Sequence, residues 1–291
     1  MISVIICSAD NVMLNAVTKK INETIGVPHE IIAFKNKHGK YGICELYNKG
    51  VKKAKYPMLC FMHEDVIIHT MDWGNTVLNI FKQDEELGIL GVAGSYYKTL
   101  SPSGWLGFGY DTECSNLIQN YKFTDAEPNF FYKNPHNTSI SEVACVDGLW
   151  FCVPRDIAVK YRFDDTTFKG FHCYDLDFSL FVGLEYKVAV TYDVLLTHLS
   201  EGCFDKTWLN EVMKLHKKWE PILPVDKGHL EKKQTLQMEK VTYKRFLDQL
   251  VAFKIPLHNA FKLLWNNSFV KKLDFGLFLK LNYYTLKRYI L

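Results

Sequence analysis

Short apolar runs rich in β-branched residues alternate with helix-length segments over positions 1–95, and this alternation restricts the fold more than any other feature. Residues 2–7 (ISVIIC), 30–34 (EIIAF), 57–62 (PMLCFM) and 88–93 (GILGVA) read as strands. Runs this continuous belong to strands buried on both faces of a sheet. Between them lie helix patterns at 12–25, 44–55 and 72–83, with Asp10 or Asn11 placed to cap the first. Strand–helix alternation predicts an α/β fold: a mostly parallel, Rossmann-like central sheet with helices on both faces. The strand at 57–62 is expected to continue past polar 63–65 into 66–68.

In such sheets ligands bind beyond the carboxyl ends of the strands. The residues to read most closely are therefore 8–11, 35–37 and 63–65. Residues 95–140 differ, being rich in Gly, Tyr, Phe and Asn, with SPSGWLGFGY in the middle. They read as a long irregular loop with short strands, a candidate lid. Trp105, Phe108 and Tyr110 in that stretch suit either an aromatic binding platform or a core. Regular structure returns over 143–153, then a helix near 175–183, a strand at 186–192 and a helix at 206–219. Pro221 and Pro224 mark a boundary, with a domain expected over 1–225 and a basic helical appendage over 226–291.

Charge supports an appendage. Residues 229–291 hold 12 Lys and Arg against 4 Asp and Glu, a surplus of +8, which leaves −5 for positions 1–228 of a chain whose net charge is +3. The tail is also rich in Phe, Leu, Trp and Tyr. Two uses stay open: packing on the rest of the protein, or peripheral contact with anionic lipid. Nucleic-acid binding is not expected, because no recognised binding motif accompanies the charge. Apolar residues are 48% of the chain and charged residues 23%, which excludes a disordered protein. No apolar stretch is long enough to span a bilayer, and the N-terminus runs straight into a strand without a basic leader, so a cytoplasmic protein is expected. Eight cysteines, at 7, 44, 60, 114, 145, 152, 173 and 203, lie mostly in apolar runs and form no CxxC pair. They read as buried thiols.

Three constellations carry candidate chemistry. His63-Glu64-Asp65 follows a strand, and its carboxylates suit Mg2+ or Mn2+ bridging phosphates; a solvated acidic turn is the alternative. Asp175 and Asp177 stand near a helix start, where one serves as a general base or both are caps. His198 follows a strand and joins a metal site only if the fold brings it to carboxylates. P-loop, GxGxxG, GxSxG and HExxH signatures are absent.

In order, the strings ISVIICS, EIIAFKN, YNKGVKKAKYPMLCFMHEDV, GVAGS, VDGLWFCVPRD and the run from FKGFHCYDLD to HLSEG resemble family 2 glycosyltransferases of the GT-A fold, in the bacterial glycosyltransferase-like subgroup with HxD in place of DxD. The resemblance spans about residues 2–203. It implies a nucleotide pocket lined by Cys7, Ser8 and Asp10, with Asn36 and Lys35 where the family commonly has acidic residues. Asn48, Glu64, Gly94, Asp147 and Gly148 are implied on the nucleotide, sugar or acceptor side. Asp65 would contact the diphosphate or metal, with His63 and His198 completing the metal shell. Asp175 matches the catalytic aspartate, and Tyr174 stands where the family has Glu.

The implied activity is inverting transfer from a nucleotide-diphosphate sugar, a UDP-sugar first among them, to a glycan or lipid-linked acceptor. A divalent cation, Mn2+ or Mg2+, would assist and Asp175 would act as general base. The alternative is a catalytically degenerate binding or scaffold protein of a glycan-assembly complex, which His63 and Tyr174 keep open.

Overall fold

The computed structural model describes the chain apart from residues 123, 203, 267–271, 273 and 291. Cys203 and Lys271 therefore lie outside the described residues. The elements run β1 (Ile2–Ser8), α1 (Asn11–Thr24), β2 (His29–Lys35), α2 (Ile43–Lys53), β3 (Met58–Met62), β4 (Val66–Ile68), α3 (Trp73–Gln83), β5 (Leu87–Gly91), β6 (Ala93–Ser95), β7 (Tyr97–Lys98), β8 (Glu113–Gln119) and β9 (Asn129–Lys133). They continue with β10 (Ile140–Glu142), β11 (Cys145–Val146), β12 (Trp150–Pro154), α4 (Arg155–Tyr161), α5 (Tyr174–Val182), β13 (Lys187–Thr191), β14 (Leu196–His198), α6 (Lys206–Trp219), β15 (Val225–Asp226), α7 (Lys232–Ala252), α8 (Leu257–Asn266) and α9 (Phe275–Ile290).

The chain divides into two compact units, Met1–Tyr96 with Glu113–Cys203, and Tyr97–Thr112 with Phe204–Leu291. The expected boundary at 225/226 is thus not where the units part. Helix α6 and the excursion 97–112 both group with the tail.

The first unit holds a seven-stranded sheet in the order β10-β13-β5-β12-β3-β1-β2. β1 pairs parallel with β2 and β3, and β5 with β13. β12 runs antiparallel between β3 and β5, and β10 antiparallel on β13. Five strands therefore point one way, and the sheet is mixed. Ile2, Val4, Ile5 and Ile6 of β1 are fully buried, as the apolar run requires. Asp10 caps α1, its carboxylate accepting the N–H groups of Val12 and Met13 at 2.7 and 3.2 Å.

A second sheet, β11-β6-β8-β14-β4 with β9 on β8, overturns one expectation. Residues 66–68 do not prolong β3. The chain turns at His63, whose N–H donates to Leu149 O at 2.9 Å, and β4 then joins β14 in the other sheet. Of the short strands expected within residues 95–140, β8 and β9 belong to this sheet. The seven described cysteines are free thiols, all buried except the half-buried Cys7.

The second unit explains where GWLGFG goes. Glu239 of α7 is fully buried and accepts the N–H groups of Leu100 and Ser101 and the Tyr97 hydroxyl, each at 2.8 Å. Phe108 N–H donates to Thr242 Oγ1, and the Arg245 guanidinium lies 3.9 Å over the Phe108 ring. Gly109, at φ +101°, has the Gln237 carbonyl where a β-carbon would come within 2.9 Å. The glycines thus let this loop lie against α7, and Phe108 is a packing residue. Lys98 is also fully buried, its ammonium donating to Ser103 O and Oγ and to His216 Nε2. Burial, then the Lys98 charge, pushes the His216 pKa well down, so the ring is neutral and accepts that bond.

Glu239→Ala strands two backbone donors and a tyrosine hydroxyl in this interior. It is expected to destabilise the protein by roughly 2–4 kcal/mol, and hydrogen exchange should show the loss first in residues 97–112.

Candidate functional site

A cleft of about 720 Å³ opens at the carboxyl ends of β1, β2, β3 and β14. Cys7, Ser8, Asp10, Asn36, His63, Glu64, Asp65 and His198 line it, as the sequence suggests. Asn48, Gly94, Asp147, Gly148 and Asp175 do not. Lys37, in the 35–37 stretch after β2 marked for close reading, also lines the cleft, as do Lys122, Lys169 and His172, which were not singled out by sequence because they stand on connecting segments without a motif.

His63, Asp65 and His198 converge, with one ligand atom from each lying within 4.8 Å of the others. His63 Nδ1 lies 3.8 Å from Asp65 Oδ1, and His198 Nε2 lies 3.6 Å from Asp65 Oδ2. Their side chains are 12–18% exposed, reachable but largely desolvated. Hydrogen bonding on the far side of each ring decides which nitrogen is free. The Tyr174 hydroxyl donates to Gly148 O at 3.0 Å, so the 2.8 Å contact with His63 Nε2 is made by the histidine donating. His198 Nδ1 lies 3.1 Å from Gln119 Oε1, an acceptor, so in this ring it is Nδ1 that carries the proton. Both remaining nitrogens present lone pairs beside Asp65. Two imidazoles and a carboxylate, each imidazole held by a partner behind it, suit a divalent cation.

Electrostatics agree. Burial pushes the His63 pKa down despite the opposing Asp65 charge, which keeps the ring neutral. Burial opposes ionisation of Asp65, but the histidines and the Ser200 hydroxyl together outweigh it and hold the carboxyl below its usual range.

Other expected residues are engaged in holding the walls. The Glu64 carboxylate accepts the N–H groups of Ala9 and Asp10 at 2.9 and 3.1 Å, fixing the β1–α1 turn. Asn36 closes its own loop, donating to Tyr41 O at 2.7 Å and accepting Tyr41 N–H at 3.2 Å. Asn48 is buried away from the cleft, donating to Phe163 O and Asp165 Oδ2 and accepting Phe163 N–H. Gly94 lies in β6, where a β-carbon would meet Cys145 O at 2.5 Å, so sheet packing accounts for it.

Asp175 is half-buried in the first turn of α5 and accepts Gly148 N–H at 2.8 Å. Asp177 is buried in the same first turn. Burial, then the Asp147 charge, raises the Asp175 pKa to about 7. Tyr174 connects this group to the cleft through His63 and Gly148. The residue before it, Cys173, adopts φ +66°, a left-handed conformation disfavoured for a residue with a β-carbon. A β-carbon on Gly148 would lie 2.1 Å from the Tyr174 hydroxyl oxygen.

The mixed sheet, with this cluster at its strand ends, is a GT-A fold. The structure is similar to that of GalNAc-T7 crystallised with UDP, GalNAc and Mn2+, at a TM-score of 0.54 and 10% identity, covering 100% of this chain and 58% of that one. The chain thus spans a little over half the length of that relative. It is also similar to A197 from STIV, at a TM-score of 0.41 and 13% identity over 69% of this chain and 86% of that one. No curated protein matches its sequence. The model of the Glycosyltransferase like family matches residues 3–218, and the chain belongs to that family.

The bonds of Asn48 give a direct test of its role. Asn48→Ala leaves the buried Phe163 amide without its partners and is expected to lower stability by about 2–4 kcal/mol. Nucleotide affinity of the folded variant, measured by calorimetry, should stay within twofold of wild type.

Proposed function

We propose that the chain transfers a sugar from a nucleotide-diphosphate donor to an acceptor hydroxyl with inversion at the anomeric carbon. The convergence of His63, Asp65 and His198, with both imidazole lone pairs directed to one side, is the observation that carries this reading. These three residues would hold a divalent cation, Mn2+ or Mg2+. Such a cation, when bound, offsets the negative charge that develops on the departing diphosphate. Lys37, Lys122, Lys169 and His172 add positive or hydrogen-bonding groups to the same walls. A UDP-sugar is the first donor to try, since the GalNAc-T7 structure holds UDP.

Asp175 is assigned the general base. Its raised pKa suits the task, because a carboxyl poised near neutrality takes a proton more readily than an ordinary carboxylate. The acceptor hydroxyl loses its proton to Asp175 as its oxygen attacks the anomeric carbon from the face opposite the leaving group. Asp147 and Gly148 are assigned to the same side, Gly148 through its bond to Asp175 and Asp147 through the charge it sets beside that carboxyl. A second reading, nucleotide-sugar or glycan binding without transfer, has one observation in its favour: Asp175 does not line the cleft and is held by Gly148.

Two measurements decide. Calorimetry with UDP should show binding that strengthens with Mn2+ and weakens with chelator, and Asp65→Ala should abolish the difference. Equal affinity with and without metal would remove the cation from the reading.

The pH profile tests the base. Asp175 ionises only as pH climbs through about 7, so turnover should rise between roughly pH 6 and 8 and then level. Asp147→Asn removes a neighbouring negative charge and should move that limb to lower pH. Asp175→Asn should cut turnover by about 10²–10⁴-fold. The raised pKa also means that ionising Asp175 costs stability as pH rises from the usual carboxyl range through 7. The melting temperature of Asp175→Asn should therefore gain on wild type across that interval. A turnover limb unchanged in Asp175→Asn would remove Asp175 as the base, whereas no nucleotide diphosphate released by wild type from any donor would favour binding without transfer.

A further inference from the structure

Helix α9 carries two apolar faces. Leu277, Phe278 and Leu281 are buried on one. Phe275, Leu279, Tyr283, Leu286 and Ile290 form the other, at steps of four, four, three and four, which is the repeat of a single helical stripe. They are 61, 52, 69, 42 and 69% exposed. Isolated exposed apolar residues are ordinary, but a continuous stripe marks a contact surface.

Trp265 of α8 extends the stripe. It is 67% exposed, donates Nε1–H to Asn282 Oδ1 at 2.9 Å and packs edge-on against Phe278. At about 100° per residue, Lys280 and Lys287 fall along one edge of the stripe, and both are exposed. Arg288 points elsewhere, paired with Asp248 at 2.7 Å. No acidic residue occurs in α9.

We infer that this face, the Phe275–Ile290 stripe with Trp265 and its lysine edge, docks on an anionic lipid surface. Exposed aromatic rings with a polar edge suit the boundary between acyl chains and headgroups. Lysines beside an apolar stripe extend their ammonium groups to lipid phosphates while their stems stay on the apolar side. A second copy seated on the stripe would meet the same lysines with no carboxylate from α9 to pair them. The charge therefore favours a negative, apolar-backed partner, which is a bilayer.

The experiment is co-sedimentation of the full chain with vesicles of phosphatidylcholine alone or mixed with phosphatidylglycerol. Binding to the mixed vesicles is expected, falling as salt rises. Lys280→Gln and Lys287→Gln should each weaken it about fivefold. Leu279→Ser with Tyr283→Ser should abolish it even at low salt, with the melting temperature unchanged because both side chains are exposed. The lysine variants decide the matter if that double variant proves unstable. No binding at low salt, or equal binding to neutral vesicles, would overturn the inference. So would a dimer in light scattering that the Leu279/Tyr283 variant dissociates without any change in vesicle binding, since the face would then belong to a second copy.

Discussion

Everything in the cleft depends on where β3 stops. The strand is buried along its whole length between parallel β1 and antiparallel β12. Its last ladder position is followed at once by the bond from His63 N–H to Leu149 O. Beyond it the chain passes into the second sheet, where β4 meets β14 and so brings Val66 opposite His198. The end of β3 and the β4–β14 pairing together place His63, Asp65 and His198 side by side, although the last two lie far apart in sequence. Rigid strand ends give such a cluster better-defined positions than loops would.

Much of the first unit was legible beforehand. β1, β3 and α1 follow from uninterrupted apolar runs and an aspartate cap, because burial on both faces of a sheet leaves an unmistakable pattern; β2 also forms where its apolar run lies, but as a half-buried edge strand of the sheet. The cleft at the strand ends follows from the same topology, and eight of the named residues line it. The resemblance brought His198 to the cluster, and the pairing of β14 with β4 is what delivers it.

What escaped the sequence was decided by distant contacts. β8 hides in a polar stretch, ECSNLIQ, whose strand character comes from pairing with β6 and β14 and not from alternation. The stretch around GWLGFG suited a lid or an aromatic platform, yet Gly107 and Gly109 serve close approach to α7, a helix much further along the chain. Asn48, Glu64 and Asn36 carry groups that suit a nucleotide, but each bonds the protein's own backbone. A side chain's chemistry is visible in sequence, whereas the partner it has already taken is not.

The close fit of Gly148 to Tyr174 has a consequence for how this site can vary. The tyrosine ring is buried against Tyr47, and its hydroxyl occupies the space a β-carbon at 148 would need. Any side chain at 148 therefore requires a smaller residue at 174, and a smaller residue at 174 releases His63 from its fixed tautomer. The two positions can exchange residues only as a pair, with the histidine as witness. Along single-step routes the glycine is locked in place by an aromatic ring that belongs to another element, the first turn of α5.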